Sequence, residues 1–120
     1  MDPAAPLPPF AAIVVAAGKG LRVGGDIPKQ FRILRGKPII RWSVEALAQA
    51  GAAGTVAVIA PKTRAEAERA LAGIPGVRFV DGGATRQESV RAGLEALTQD
   101  APERVLIHDA ARPDLTRSVI

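Results

Sequence analysis

The sequence predicts an α/β fold, a mostly parallel sheet with helices on both faces. Three observations predict it. Phe10 to Val15 and Thr55 to Ala60 are short, near-continuous apolar runs with β-branched residues, the pattern of strands buried on both sides. Stretches of helical periodicity separate such runs, and this alternation suits a parallel sheet joined by right-handed crossovers. Glycine-rich segments follow the strand ends, where open sheets of this class bind their ligands.

Composition bounds the rest. The chain has 120 residues, 48% hydrophobic and 23% charged, with 16 basic against 12 acidic side chains, which fits one soluble globular domain. The excess of +4 has no basic run or interleaved aromatics behind it, so a small phosphorylated ligand explains it better than nucleic acid. There is no cysteine and one histidine, which excludes a disulfide framework and makes a zinc site improbable. No signal peptide or run of bilayer length is present, so a cytoplasmic location without membrane contact is the default expectation.

In chain order, Met1 to Pro9 holds four prolines and predicts an extended or disordered tail with nothing catalytic in it. Phe10 to Val15 is the first strand. Ala16, Ala17, Gly18 and Gly20 then present almost no side chain, so backbone N–H groups can approach an anionic or planar ligand closely. Arg22 and Lys29 add two positive charges, and Gly24, Gly25 and Pro28 argue against one helix carrying both. Phe31 to Gly36 reads as an extended connection. Pro38 opens a helix through about Gln49, with Ile39, Ile40, Val44, Leu47 and Ala48 on its apolar face and Trp42 as a packing residue.

Gly51 and Gly54 end that helix, and the strand from Thr55 to Ala60 stops at Pro61. A second helix runs to about Ala72, with Thr63 and Glu66 at capping-box spacing; Val77 to Val80 is the third strand. Thr85 and Glu88 repeat the capping box for a third helix, which buries Val90, Leu94 and Leu97. Glu103 to Ile107 is the fourth strand, and Thr116 to Ile120 begins another helix.

Three kinds of phosphate loop compete for the segment after the first strand. A Walker loop fails because Gly25-Asp26-Ile27 stands where Gly-Lys-Ser/Thr is needed. A dinucleotide fingerprint fails because Val23 stands at its third glycine. The nucleotidyltransferase pattern, Ala-Ala-Gly-x-Gly-x-Arg followed by Pro-Lys-Gln, is met at every position by Ala16 to Arg22 and Pro28 to Gln30.

These segments resemble the 2-C-methyl-D-erythritol 4-phosphate cytidylyltransferases of the non-mevalonate isoprenoid pathway. Leu34-x-Gly36-x-Pro38, Gly82-Gly83-x-x-Arg86-x-x-Ser89-Val90 and His108-Asp109-Ala110-Ala111-Arg112-Pro113 extend the resemblance over residues 10 to 113. It implies a Rossmann-like nucleotidyltransferase fold that joins CTP to a polyol phosphate with a divalent metal, Mg2+ being the expected one. Arg22 and Lys29 are then the implied catalytic cations, stabilising charge that builds on the α-phosphate and pyrophosphate. Ala16, Ala17, Gly18, Gly20, Gly83, Ala84 and Ser89 are implied on the nucleotide, with the Gly83 backbone and Ser89 hydroxyl reading cytosine. Arg86 fits a loop support as well as a nucleotide contact.

A strand-end aspartate is ordinarily a turn or cap residue. In a phosphate crevice Asp109 becomes a candidate magnesium ligand, since that ion uses one or two carboxylates plus substrate phosphates. Arg112 is implied beside the acceptor phosphate or as a brace for Asp109, and His108 is expected to be structural.

The resembled domain is about twice this length, so residues 10–120 are expected to be its nucleotide-binding part, truncated, with a homodimer in the full-length protein. Another polyol phosphate such as ribitol 5-phosphate, or an inactive nucleotide-binding fragment, are the alternative expectations.

Overall fold

A computed structural model describes residues 10–17, 29–98 and 104–110. The proline-rich start, most of the loop after the first strand and the predicted helix from Thr116 lie outside the described residues.

The chain enters on β1 (Phe10–Ala16), makes a 3-10 turn at Lys29–Phe31, and folds a small ribbon of β2 (Ile33–Leu34) and β3 (Lys37–Pro38). It continues through α1 (Ile39–Gln49), β4 (Ala52–Ile59), α2 (Arg64–Ala70), β5 (Val77–Asp81), α3 (Arg86–Ala96) and β6 (Val105–Asp109). The main sheet has the order β5-β4-β1-β6, and every pairing in it is parallel. All four carboxyl ends therefore share one rim.

The alternation of β1 divides the core. Phe10, Ala12, Val14 and Ala16 face Ile40, Val44 and Leu47 of α1 together with Ala67 and Ala70 of α2, while Ala11, Ile13 and Val15 face the α3 side with Val56, Val58 and Leu97. Helices thus cover both faces. Ile13, Ile40, Leu47 and Ile59 are fully buried, and each contributes about 2 kcal/mol relative to exposure.

Several elements differ from their predicted form. β1 runs one residue further, to Ala16, because Ala16 still pairs with Ile59. β4 starts at Ala52, since pairing to β1 recruits Ala52 and Gly54 despite their poor strand propensity, with Ala53 skipped at an irregularity in the register. β6 lies at Val105–Asp109 rather than Glu103 to Ile107, in register with Ala11 to Val15. The expected extended connection is a hairpin: Arg35 (φ 50) and Gly36 (φ 85) form its two-residue turn, and both positive φ values are those of the hairpin turn that matches strand twist.

Among the helices, α1 buries Ser43 and leaves Ala48 exposed. Trp42 donates its indole N–H to the Leu34 carbonyl at 2.6 Å and braces the hairpin. On α3, Ser89 and Gly93 are buried while Val90 is half-buried and Leu94 is 43% exposed. The correction has a steric cause. A Cβ on Gly93 would stand 2.8 Å from Ile13 Cγ2, so the helix backbone itself lies on the sheet and fixes the rotational phase.

Candidate active site at the carboxyl rim of the sheet

The rim is built from three strand exits. At the first, β1 hands over to Ala17, which is half-buried. The chain returns to it through Gln30, whose side-chain amide donates to the Ala16 carbonyl at 3.0 Å. Gln30 is only 6% exposed, while its neighbour Lys29 is exposed. The Lys29 carbonyl accepts from the Arg32 N–H at 3.1 Å and closes the turn. Phe31 packs against the core below.

At the second exit, Gly82 N–H donates to the Ile59 carbonyl at 2.8 Å, continuing the sheet beyond β5. A Cβ on Gly82 would lie 2.3 Å from the Ala17 Cβ and 2.7 Å from Ser89 Oγ. Only a glycine lets the two exits and the first turns of α3 touch in this way. Gly83 N–H donates to Ser89 Oγ at 3.2 Å, and the Ser89 side chain is buried. Ala84 N–H donates to the Glu88 carboxylate at 2.9 Å, and Glu88 N–H donates to Thr85 Oγ1 at 3.1 Å. The Thr85 half of the expected capping box therefore forms, while the Glu88 carboxylate takes the N–H of Ala84, one residue before the cap, instead of that of Thr85.

At the third exit, Asp109 is the residue of β6 paired with Val15, and the Ala110 N–H donates to the Val15 carbonyl at 3.0 Å. Asp109 is exposed at the rim beside β1, as the switched strand order requires. His108 is buried with Nε2 3.2 Å from Ser43 Oγ, a structural contact with α1.

Of the residues singled out from the sequence, Ala16, Ala17, Lys29, Gly83, Ala84, Ser89 and Asp109 come to this one rim. Gly18, Gly20, Arg22 and Arg112 lie outside the described residues. Arg86 opens α3 and is exposed. Sequence reasoning assigned no role to Gln30, Gly82 or the Glu88 carboxylate within the site. The adjacent glycines signalled the second of these. The Gln30 contact to the Ala16 carbonyl is one that spacing does not reveal, and for Glu88 spacing signals a contact to backbone but not that it goes to Ala84.

Residues 10–120 match the family profile described as IspD, 2-C-methyl-D-erythritol 4-phosphate cytidylyltransferase. The chain belongs to this family. A bifunctional enzyme IspD/IspF from Novosphingobium aromaticivorans is 62% identical over 118 residues, covering 98% of this chain and 31% of that protein. A 2-C-methyl-D-erythritol 4-phosphate cytidylyltransferase from Cereibacter sphaeroides is 53% identical over 106 residues, covering 86% of this chain and 47% of its own length.

The IspD fold is shared with solved structures. A 4-diphosphocytidyl-2C-methyl-D-erythritol synthase from Anaerococcus prevotii superposes with a TM-score of 0.73 at 24% identity, over 93% of this chain and 48% of that one. The chain thus spans about a third to a half of the relatives it matches. No helix among the described residues is long and apolar enough to cross a membrane.

Proposed function

We propose that this chain forms the nucleotide-binding part of a cytidylyltransferase that transfers the cytidylyl group of CTP to 2-C-methyl-D-erythritol 4-phosphate. A phosphate oxygen of the acceptor attacks the α-phosphorus of CTP, a new P–O bond forms, and the bond to the β-phosphate breaks to release pyrophosphate. The observation that carries this reading is the meeting of the three exits, where Ala17 abuts Gly82 and Asp109 lies in register with Val15. Family membership supports the choice of chemistry.

In this reading Lys29, with Arg22, neutralises charge that develops on the α-phosphate and the leaving group, the largest contribution available without covalent catalysis. The backbone of Ala16 to Gly20 lies along the triphosphate. Gly83, Ala84 and Ser89 line the cytosine subsite, with Ser89 holding the Gly83 peptide in place. Arg112 meets the acceptor phosphate.

Among the described residues no three acidic or histidine side chains gather around a point. Asp109 with substrate phosphates is nevertheless a donor set that magnesium accepts, so the residues present fit that ion. Bound there, Mg2+ would neutralise triphosphate charge. The reading carries with it a cytoplasmic location and a homodimer of the full-length protein.

The test is calorimetric titration of CTP with magnesium, then pyrophosphate release with 2-C-methyl-D-erythritol 4-phosphate and, separately, ribitol 5-phosphate. Lys29→Met should lower kcat by roughly a hundredfold or more while weakening CTP binding only modestly. A variant that loses affinity alone, at unchanged turnover, would reduce Lys29 to a binding residue, and no pyrophosphate release from the unsubstituted protein would reduce the site to a binding module.

A further inference from the structure

We infer that Gln30 is a positioning residue for the transfer reaction, acting through Lys29; the inference rests on the function proposed above. The Gln30 amide ties the Lys29 turn to the carboxyl end of β1, at 3.0 Å and across 14 positions of chain. It is buried, so the bond is shielded from competing water. Lys29 is exposed, and it precedes an anchor that does not itself reach the solvent-facing rim.

The geometry makes the division of labour specific. An exposed lysine carries three rotatable donors on a flexible stem and has no directional preference of its own. Its backbone position is what the fold can fix. Two restraints fix it here: Phe31 packs on the core on one side, and the Gln30 amide holds the Ala16 carbonyl on the other. The same hydrogen bond occupies the last carbonyl of β1, which orients the Ala16–Ala17 peptide that abuts Gly82. One amide therefore sets the distance between the lysine turn and the backbone proposed to lie along the triphosphate.

The test is a double-mutant cycle in the full polypeptide, using Gln30→Met, which keeps the volume and removes the donor, and Lys29→Met, singly and together. Gln30→Met should lower kcat by about tenfold or more, the scale on which small misplacements act, while KM for CTP moves less than about threefold. In the Lys29→Met background the same change should cost almost nothing further, because its effect passes through the lysine. Gln30→Glu, isosteric but an acceptor where a donor is needed, provides a second route if Gln30→Met does not fold, and its kcat should fall likewise.

Full additivity of the two substitutions, or a folded Gln30→Glu enzyme with wild-type kcat, would overturn the inference. Absence of pyrophosphate release from the unsubstituted protein would instead overturn the proposed function, and this inference with it.

Discussion

The entrances of α2 and α3 share the spacing Thr-x-x-Glu, Thr63 with Glu66 and Thr85 with Glu88, and they are built differently. Thr85 is extended (φ −119, ψ 163) and its hydroxyl accepts the Glu88 N–H. Thr63 has φ −108 and ψ 12, makes no cap bond, and donates its hydroxyl to the Ala60 carbonyl at 2.9 Å. What precedes each threonine decides the outcome. Pro61 starts a 3-10 turn that delivers Thr63 already curled, and a curled backbone turns the hydroxyl away from the helix N–H groups. Gly82 and Gly83 deliver Thr85 in an extended state. Both entrances follow strand carboxyl ends at the rim, and at the capped one Ser89, Glu88 and Thr85 each engage a backbone N–H.

The sharpest way to break the contrast is to disturb the approach to Thr85. Gly82→Ala places a Cβ 2.3 Å from the Ala17 Cβ, 2.7 Å from Ser89 Oγ and 3.1 Å from Val58 Cγ1. The first of these neighbours is a short side chain rooted in backbone and cannot swing aside. We expect a loss of about 3 kcal/mol, read as a lower denaturation midpoint at unchanged slope. CTP binding should weaken as well, since the β1 and β5 exits are forced apart. Unchanged stability and affinity would mean the exits are not packed against each other.

The layered plan was legible in the sequence because it rests on signals local to each element. β-branched runs, helical periodicity and glycines near the turns located every strand of the main sheet to within a few residues. The hairpin was not legible, because Arg35 at positive φ is an ordinary residue in an uncommon conformation, imposed by its antiparallel neighbours. Leu94 was misplaced because periodicity alone cannot tell which side of a helix a glycine lets closest to the sheet. At the site, the motif residues pointed to the rim, but Gln30 acts on a carbonyl far back in the chain, and no local pattern marks such a partner.

A gentler comparison replaces each threonine by alanine. Thr85→Ala removes a helix cap and should cost about 1 kcal/mol, whereas Thr63→Ala removes a partly buried turn hydrogen bond and should cost about half as much. Paired denaturation curves measure the difference. Equal losses would show that the backbone conformation before each threonine has no bearing on its value.

α1 completes the series, because its first residue follows Pro38 and no side chain caps it. The Ile39 N–H donates to the Arg32 carbonyl at 3.0 Å, and ion pairs tie that end to the middle of the helix: Glu45 accepts from Lys37 Nζ at 2.6 Å and from Arg41 Nε at 3.0 Å, and Arg41 also donates to the Ala70 and Ala72 carbonyls. The Lys37 hydrogen bond holds the Glu45 carboxyl below its ordinary range, opposed by burial and aided by Arg41. A carboxyl depressed in the folded state contributes stability above its unfolded pKa and loses it as pH falls through the folded value. Glu45→Gln should therefore destabilise by about 0.5 kcal/mol at neutral pH, the scale of partly exposed pairs, and by progressively less below the ordinary carboxylate range. Because the pairs are Coulombic, salt should shrink the neutral-pH difference too, whereas the Thr85 effect, a hydrogen bond to a backbone N–H, should persist in both acid and salt. Denaturation curves of the two variants at two pH values and two ionic strengths separate an entrance held by charge from one held by a cap; parallel responses would mean that Glu45 is not what secures α1.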